Sequence, residues 1–179
     1  MWDGGAGPNS IWIPAIADDG SLYPVEKMDA HRRGLRHLAI SAFVFSEDSL
    51  LIQRRASSKY HCGGLWANTV CTHPNWDEPI EDCVPRRLRE ELGISVPMSH
   101  TRVVDYTADV GGGLVENERV HVFRGTADRT KLAIAPNPEE VEETRWVSLA
   151  HLDDEVAAHP ERFTPWFRIY LNRWAELAV

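Results

Sequence analysis

Apolar positions along the chain fall into short runs separated by turn-forming residues, with two helix-like patterns among them. Ile11 to Ile16 is apolar and is followed by Asp18-Asp19-Gly20-Ser21, which predicts a strand entering a hairpin. Leu38 to Phe45 and Leu50 to Arg54 read as a strand pair around Ser46-Glu47-Asp48, a good turn sequence. Trp66 to Cys71 is another apolar run, ending before the turn at Pro74. Strands are expected at about 101–109 and 114–125 around Gly111-Gly112-Gly113, and again over Arg145 to Leu149 after an acidic connector, Glu139 to Glu143. Val25 to His37 is too polar for core and reads as a loop running into a strand, and Lys59 to Gly64 as a second loop.

The helical patterns are of a different period. Val84, Leu88 and Leu92 recur every fourth residue within the charged run Glu81 to Leu92, making one apolar stripe that Gly93 closes as a cap. Pro85 lacks the N–H that a helix interior needs, so the helix either begins near Val84 or is kinked there. A short helix is expected after Ser148 or Leu149. The last helix has Thr164 as its cap, Pro165 in its first turn, and Trp166, Tyr170 and Trp174 at four-residue spacing. Strands and helices out of strict alternation imply an α+β or mixed α/β sandwich.

Composition narrows the picture. With 179 residues, 43% hydrophobic and 26% charged, the chain suits one globular domain, taken as 11–179 behind a loose tail at 1–10. A net charge of −8 argues against a nucleic-acid surface, so any phosphate site must be a local basic patch. Cys62, Cys71 and Cys83 are odd in number and lack metal spacing, which points to free thiols in a reducing, cytoplasmic setting. The start has neither the basic nor the apolar region of a signal peptide, and no run has transmembrane length, so no membrane partner is expected.

Candidate chemistry gathers at a few points. On a strand, Cys71 and His73 share a face, and so do Glu116 and Glu118. Taken alone, the first pair reads as an inert buried thiol beside a hydrogen-bonding imidazole, and the second as an exposed acidic edge. Adjacent carboxylates otherwise raise one pKa or recruit a cation. His31, His37 and His73 can add nitrogen, and three imidazoles with two carboxylates suit Mn²⁺ or Zn²⁺ better than Mg²⁺. His61, His100, His121, His151 and His159 are assigned no role. Arg87 and Glu91 share a helical face, where a carboxylate among basic groups can hold a Mg²⁺ that bridges to a diphosphate.

Glu78, Arg86, Leu88, Glu90, Glu91, Gly93 and Ile94 resemble the Nudix box, with Thr72 in place of its first Gly and Arg87 in place of the Glu after Arg. The resemblance implies the Nudix fold, a mixed sheet sandwiched between helices. In Nudix hydrolases the replaced Glu belongs to the metal cluster that activates water, so its loss argues against a pyrophosphohydrolase. Asn68-Thr69-Val70-Cys71-Thr72-His73-Pro74, Glu116-Asn117-Glu118, the altered box and Pro165-Trp166 are together similar to type 1 isopentenyl-diphosphate isomerases, from about Leu22 to about Leu171. The family's common Cys-Gly-His-Pro is Cys-Thr-His-Pro here, and the interval from His31 to His37 is one residue shorter than in some members.

This second resemblance implies a double-bond shift by protonation and deprotonation through a carbocation. Cys71 and Glu118 would be the proton carriers, Tyr106 would assist at the glutamate, and the π face of Trp166 would stabilise the cation. It further implies Mn²⁺ or Zn²⁺ at His31, His37, His73, Glu116 and Glu118. Mg²⁺ would arrive with the substrate, at Glu91 and the Cys71 carbonyl. Lys27, Arg55, Lys59 and Arg87 would clamp the diphosphate. The expected partner is a small-molecule diphosphate, and the expected state a monomer or weak homodimer. The rival expectations are a Nudix pyrophosphohydrolase and a non-catalytic metal-binding module.

Overall fold

The computed structural model describes residues 10–179, so the tail read at 1–10 lies, except for Ser10, outside the described residues. In chain order the elements are β1 (Trp12–Ile16), β2 (Leu22–Glu26), α1 (Lys27–Arg33), β3 (His37–Ser46), β4 (Ser49–Arg55), β5 (Trp66–Ala67) and β6 (Val70–Thr72). There follow α2 (Ile80–Leu92), β7 (Met98–Gly111), β8 (Leu114–Thr126), β9 (Val141–Ser148), α3 (Leu149–Ala158), a short 3₁₀ turn, α4 (Pro165–Asn172) and α5 (Trp174–Leu177).

Strand β3 is the axis of the sheet. It pairs antiparallel with β1, β4 and β6 and parallel with β8, whose other edge takes β7. Almost every β3 residue is buried, as a strand covered on both faces requires. On one face Ala39, Phe43 and Phe45 pack with Val120, Val122, Phe167 and Tyr170. On the other, Ile40, Ala42 and Val44 pack with the α2 stripe of Val84, Leu88 and Leu92. The expected α+β sandwich of a mixed sheet between helices is therefore the observed one. No helix among the described residues is long and apolar enough to cross a membrane.

Five local expectations need correction. The stretch read as a loop at 25–37 contains helix α1, which Glu26 caps by accepting from the Asp29 N–H at 2.8 Å and Gly34 closes at φ 61°. Its buried positions are Ala30 and His31, so it lacks the apolar stripe that marks a core helix. Helix α2 starts at Ile80 rather than near Val84 and runs through Pro85. The bond that Pro85 withholds is to the carbonyl of Glu81, an exposed residue where water can substitute. The acidic connector is the first half of β9, which pairs with β4 from Val141 onward, and its Glu142 and Glu143 face Arg54 at 3.4 and 3.0 Å. Thr164 precedes α4, but its hydroxyl makes no capping bond; its backbone N–H donates to the Trp66 carbonyl instead. Trp174 belongs to α5, because the chain breaks from helical geometry at Arg173.

Gly93 ends α2 where little else fits. Its φ is +66°, and a Cβ there would lie 2.8 Å from the Ala135 carbonyl oxygen.

Candidate active site

Sheet register builds the site. Glu118 on β8 stands beside His37 on β3 and beside Tyr106 on β7, so three strands contribute to one row. Glu116, two residues away, repeats on the same face. Cys71 on β6 pairs with Ser41, four residues beyond His37 on the same face of β3. Strands β5 and β6 are separated by two buried polar residues. Asn68 donates to the carbonyls of Ala42 and Val70 at 3.1 and 2.9 Å. Thr69 donates to the Leu51 carbonyl at 2.6 Å and accepts from the Val44 N–H at 2.9 Å. These side chains take the place of ladder bonds and fix where Cys71 emerges.

Three imidazoles converge on Glu118. Nε2 of His73 is 2.9 Å from Glu118 Oε1, Nε2 of His37 is 3.5 Å from it, and the two nitrogens are 3.2 Å apart. Those separations match the edges of a coordination polyhedron with bonds of about 2.1 Å, which run about 3.0–3.4 Å. His31 completes the group, all four offering atoms within 4.8 Å of one another. Nδ1 of His31 donates to the Lys27 carbonyl and Nδ1 of His37 to the Leu35 carbonyl, both at 2.7 Å. A carbonyl can only accept, so these protons are fixed on Nδ1 and the Nε2 lone pairs face the cluster. Nε2 of His31 is buried with no partner. Burial holds His31 down to about 4 and His73 well below the ordinary histidine range, which keeps both in the neutral form that binds a metal. The cluster can therefore hold a divalent cation.

Glu116 and Glu118 share the Tyr106 hydroxyl, which lies 2.8 Å from Glu116 Oε2 and 2.7 Å from Glu118 Oε2. Burial and the Glu118 charge push Glu116 well above the usual carboxylate range. Burial opposes ionisation of Glu118 too, but the neighbouring His37 and His73 outweigh it and hold that carboxyl well below its usual range. Glu116 falls outside that group of four and forms a second one with His61 and the shared His31.

Cys71 opens onto the same cavity as Glu118, which also has Trp166 on its wall. The Ser41 hydroxyl is 3.2 Å from the Cys71 sulfur and 2.8 Å from the Tyr170 hydroxyl. Burial first, then the two glutamates, pushes the Cys71 thiol well up, so it remains protonated at neutral pH. Lys27, Arg55, Lys59 and Arg87 line the cavity as well. The guanidinium of Arg55 is 5.2 Å from the Trp166 ring centre, within range of a cation–π contact. Arg87 grips Glu91 Oε1 at 2.6 Å, while Gln53 donates to Glu91 Oε2 at 2.9 Å. Arg86 lies against Glu78 and Glu90. The acidic positions of the box are thus each engaged by arginine.

The structure brings every candidate site residue to this one region. His31, His37 and Tyr106 stand behind the wall and reach the cavity through Glu118 and Glu116; the rest line it. Sequence reasoning missed Gln53, Tyr60, His61 and Glu140 on the wall, and Ser41 behind Cys71. Gln53 had a signal, a polar residue inside an apolar strand, whereas the loop residues Tyr60 and His61 had none.

The protein-family model for the NUDIX domain matches residues 35–167. An isopentenyl-diphosphate Delta-isomerase of Cereibacter sphaeroides is 60% identical over 160 residues, 89% of each chain. One of Dinoroseobacter shibae is 55% identical over 165 residues, 92% of this chain and 93% of that one. Among solved structures, DR0079 from Deinococcus radiodurans superposes with a TM-score of 0.72 at 16% identity, covering 90% of this chain and 98% of that one. The MutT protein from Methanosarcina mazei Go1 gives 0.63 at 21% identity, covering 79% and 94%. At those identities the structural likeness speaks for the fold alone.

Proposed function

Because this chain belongs to the isopentenyl-diphosphate Delta-isomerase family of the NUDIX superfamily and interconverts isopentenyl and dimethylallyl diphosphate, we propose that Cys71 and Glu118 are its two proton carriers. The observation that carries this assignment is that both line one cavity together with Lys27, Arg55, Lys59 and Arg87. The four cations take the diphosphate, and the hydrocarbon end then lies between thiol and carboxylate.

The alkene has no activating group, so the barrier is the tertiary carbocation formed when a proton is added. One carrier delivers that proton, the other removes one from the neighbouring carbon, and the roles exchange when the reaction runs backward. A turnover leaves the proton on the opposite member of the pair. Tyr106 at Glu118 and Ser41 at Cys71 are the hydroxyls through which it can return. Trp166, 1% exposed, offers the cation its ring face, an interaction worth about 2 kcal/mol when desolvated.

His31, His37, His73, Glu116 and Glu118 would hold Mn²⁺ or Zn²⁺, whose positive charge would let two carboxylates stand side by side. Glu91 and the Cys71 carbonyl would hold Mg²⁺ brought by the diphosphate. Arg87, lying on Glu91, occupies with positive charge the position from which a hydrolase would gather further metal, and it serves here as a diphosphate contact.

The test is incubation with isopentenyl diphosphate, Mg²⁺ and Mn²⁺. Dimethylallyl diphosphate with its diphosphate intact is the expected product. Release of phosphate without a shifted double bond would instead establish hydrolysis.

Burial, reinforced by Lys59, Arg87 and Arg55, brings Lys27 down to about 8. Below that pH the ammonium is charged and attracts the diphosphate; above it the free enzyme loses the charge. KM is therefore expected to rise above about pH 8 while kcat, which reports the complex, stays level. Lys27→Arg keeps its charge and should flatten the rise. A KM that climbs identically in that variant would remove Lys27 from the clamp.

A further inference from the structure

We propose that Gln53 is a positioning residue for Mg²⁺. Its amide holds the carboxylate oxygen of Glu91 that is free to bind the ion, and ties that oxygen to the segment supplying the other protein ligand. This rests on the Mg²⁺ reading above.

Counting lone pairs singles out the oxygen. An ionised carboxylate offers about four acceptor sites, shared equally between its oxygens. Arg87 places two hydrogen bonds on Oε1 of Glu91, from Nε at 3.0 Å and from its terminal nitrogen Nη2 at 2.6 Å. Those use Oε1 up. Oε2 accepts from Gln53 Nε2 at 2.9 Å and keeps a lone pair. Glu91 is 5% exposed and lines the cavity, as Cys71 does, so a cation in the cavity meets the carboxylate at Oε2.

Gln53 is a polar residue where β4 is otherwise core. Leu50, Leu51 and Ile52 before it are buried, and it is itself 4% exposed. An amide at such a depth destabilises the fold unless its hydrogens are matched. Both are: the second goes to the Thr69 carbonyl at 2.8 Å. A carbonyl can only accept, so the NH₂ end of the side chain is the end that faces Thr69 and Glu91. Thr69 is itself fixed, its hydroxyl donating to the Leu51 carbonyl and accepting from the Val44 N–H. It stands two residues before Cys71, whose carbonyl is the second Mg²⁺ ligand in the reading above. One amide therefore spans from α2 to the approach of β6, and it sets the spacing between a carboxylate and a carbonyl that belong to different elements. Without it, Glu91 would turn about its bonds to Arg87.

The consequence is that the ion meets an oxygen already in place. No side chain then has to be ordered when the diphosphate arrives, and that ordering would otherwise weaken binding.

The experiment uses inorganic diphosphate as the probe. Its binding to Mn²⁺-loaded protein is measured by calorimetry with and without excess Mg²⁺, for wild type, Gln53→Met and Glu91→Gln. Methionine is similar in length and removes the amide. In wild type, Mg²⁺ should raise the affinity for diphosphate. In Gln53→Met that gain should shrink by about ten- to a hundredfold. Affinity without Mg²⁺ should stay at the wild-type value, because Lys27, Arg55, Lys59 and Arg87 are all retained. In turnover, Gln53→Met should need more Mg²⁺ for half-maximal rate and recover the wild-type kcat when Mg²⁺ saturates. An undiminished gain in Gln53→Met would overturn the proposal. So would affinity lost equally with and without Mg²⁺, which is what a purely structural role predicts. Gln53→Asn keeps an amide but is one CH₂ too short to reach both acceptors; it is expected to behave as Gln53→Met does, and it decides the matter if the methionine variant does not fold. A wild-type gain in Glu91→Gln would instead overturn the Mg²⁺ reading itself.

Discussion

Cys71→Ala is expected to lower kcat for isopentenyl diphosphate by about 10²–10⁴-fold, the contribution of a positioned acid–base group, with KM changed only a few-fold. Cys71 lines the cavity, and its thiol has the Ser41 and Tyr170 hydroxyls as hydrogen-bonding neighbours. Backbone pairing of β6 with β3 is untouched by the substitution. Mn²⁺ content and melting temperature should therefore match wild type while turnover collapses. Steady-state kinetics with product identification, beside metal analysis of the same preparation, checks this. Undiminished conversion would end the proposal that Cys71 carries a proton.

Glu118→Gln is expected to be as damaging to turnover, by about 10²–10⁴-fold or more, but with a different signature. The amide is nearly the shape of the carboxylate, and it can still accept from Tyr106. It can neither take up a proton nor offer Oε1 to a cation as a charged donor. Mn²⁺ affinity should fall together with kcat, and excess Mn²⁺ should restore occupancy without restoring rate. Recovery of rate on saturation with Mn²⁺ would reduce Glu118 to a metal ligand and leave the second proton carrier to be found elsewhere. The two substitutions thus separate along the metal axis: Cys71→Ala leaves affinity intact and Glu118→Gln does not.

Much of this architecture was readable from residue order, for identifiable reasons. The hairpins at 18–21, 46–48 and 111–113 carry turn chemistry, and α2 carries an apolar stripe that ends at Gly93. Alternation along a strand sufficed to place Glu116 with Glu118. Helix α1 escaped because it buries His31 rather than a row of leucines; the trace it did leave was Glu26 three residues before Asp29, with Gly34 at the end. The adjacency of His37 and Glu118 comes from a parallel pairing between distant strands, and local pattern does not encode such a pairing. It entered the sequence reading only through family resemblance. His61 escaped altogether, since a loop histidine acquires meaning only from what the sheet brings opposite it. Trp166 had two readings, core packing and cavity wall, and it serves both: it belongs to the cluster under α4 and also lines the pocket.

The parallel pairing of β3 with β8 also bears on how the protein reaches its native state. His37 and Glu118 are roughly eighty residues apart in sequence, and they meet only after a long loop has been closed at an entropic cost. Until then the chain offers a metal scattered histidines and no completed cage. An ion bound to the cage would therefore stabilise interactions that form late, and its effect would fall on the unfolding rate more than on the folding rate. In such a protein the metal acts as a latch on a finished topology, and the lifetime of the native state, rather than the speed of its formation, would follow the metal supply.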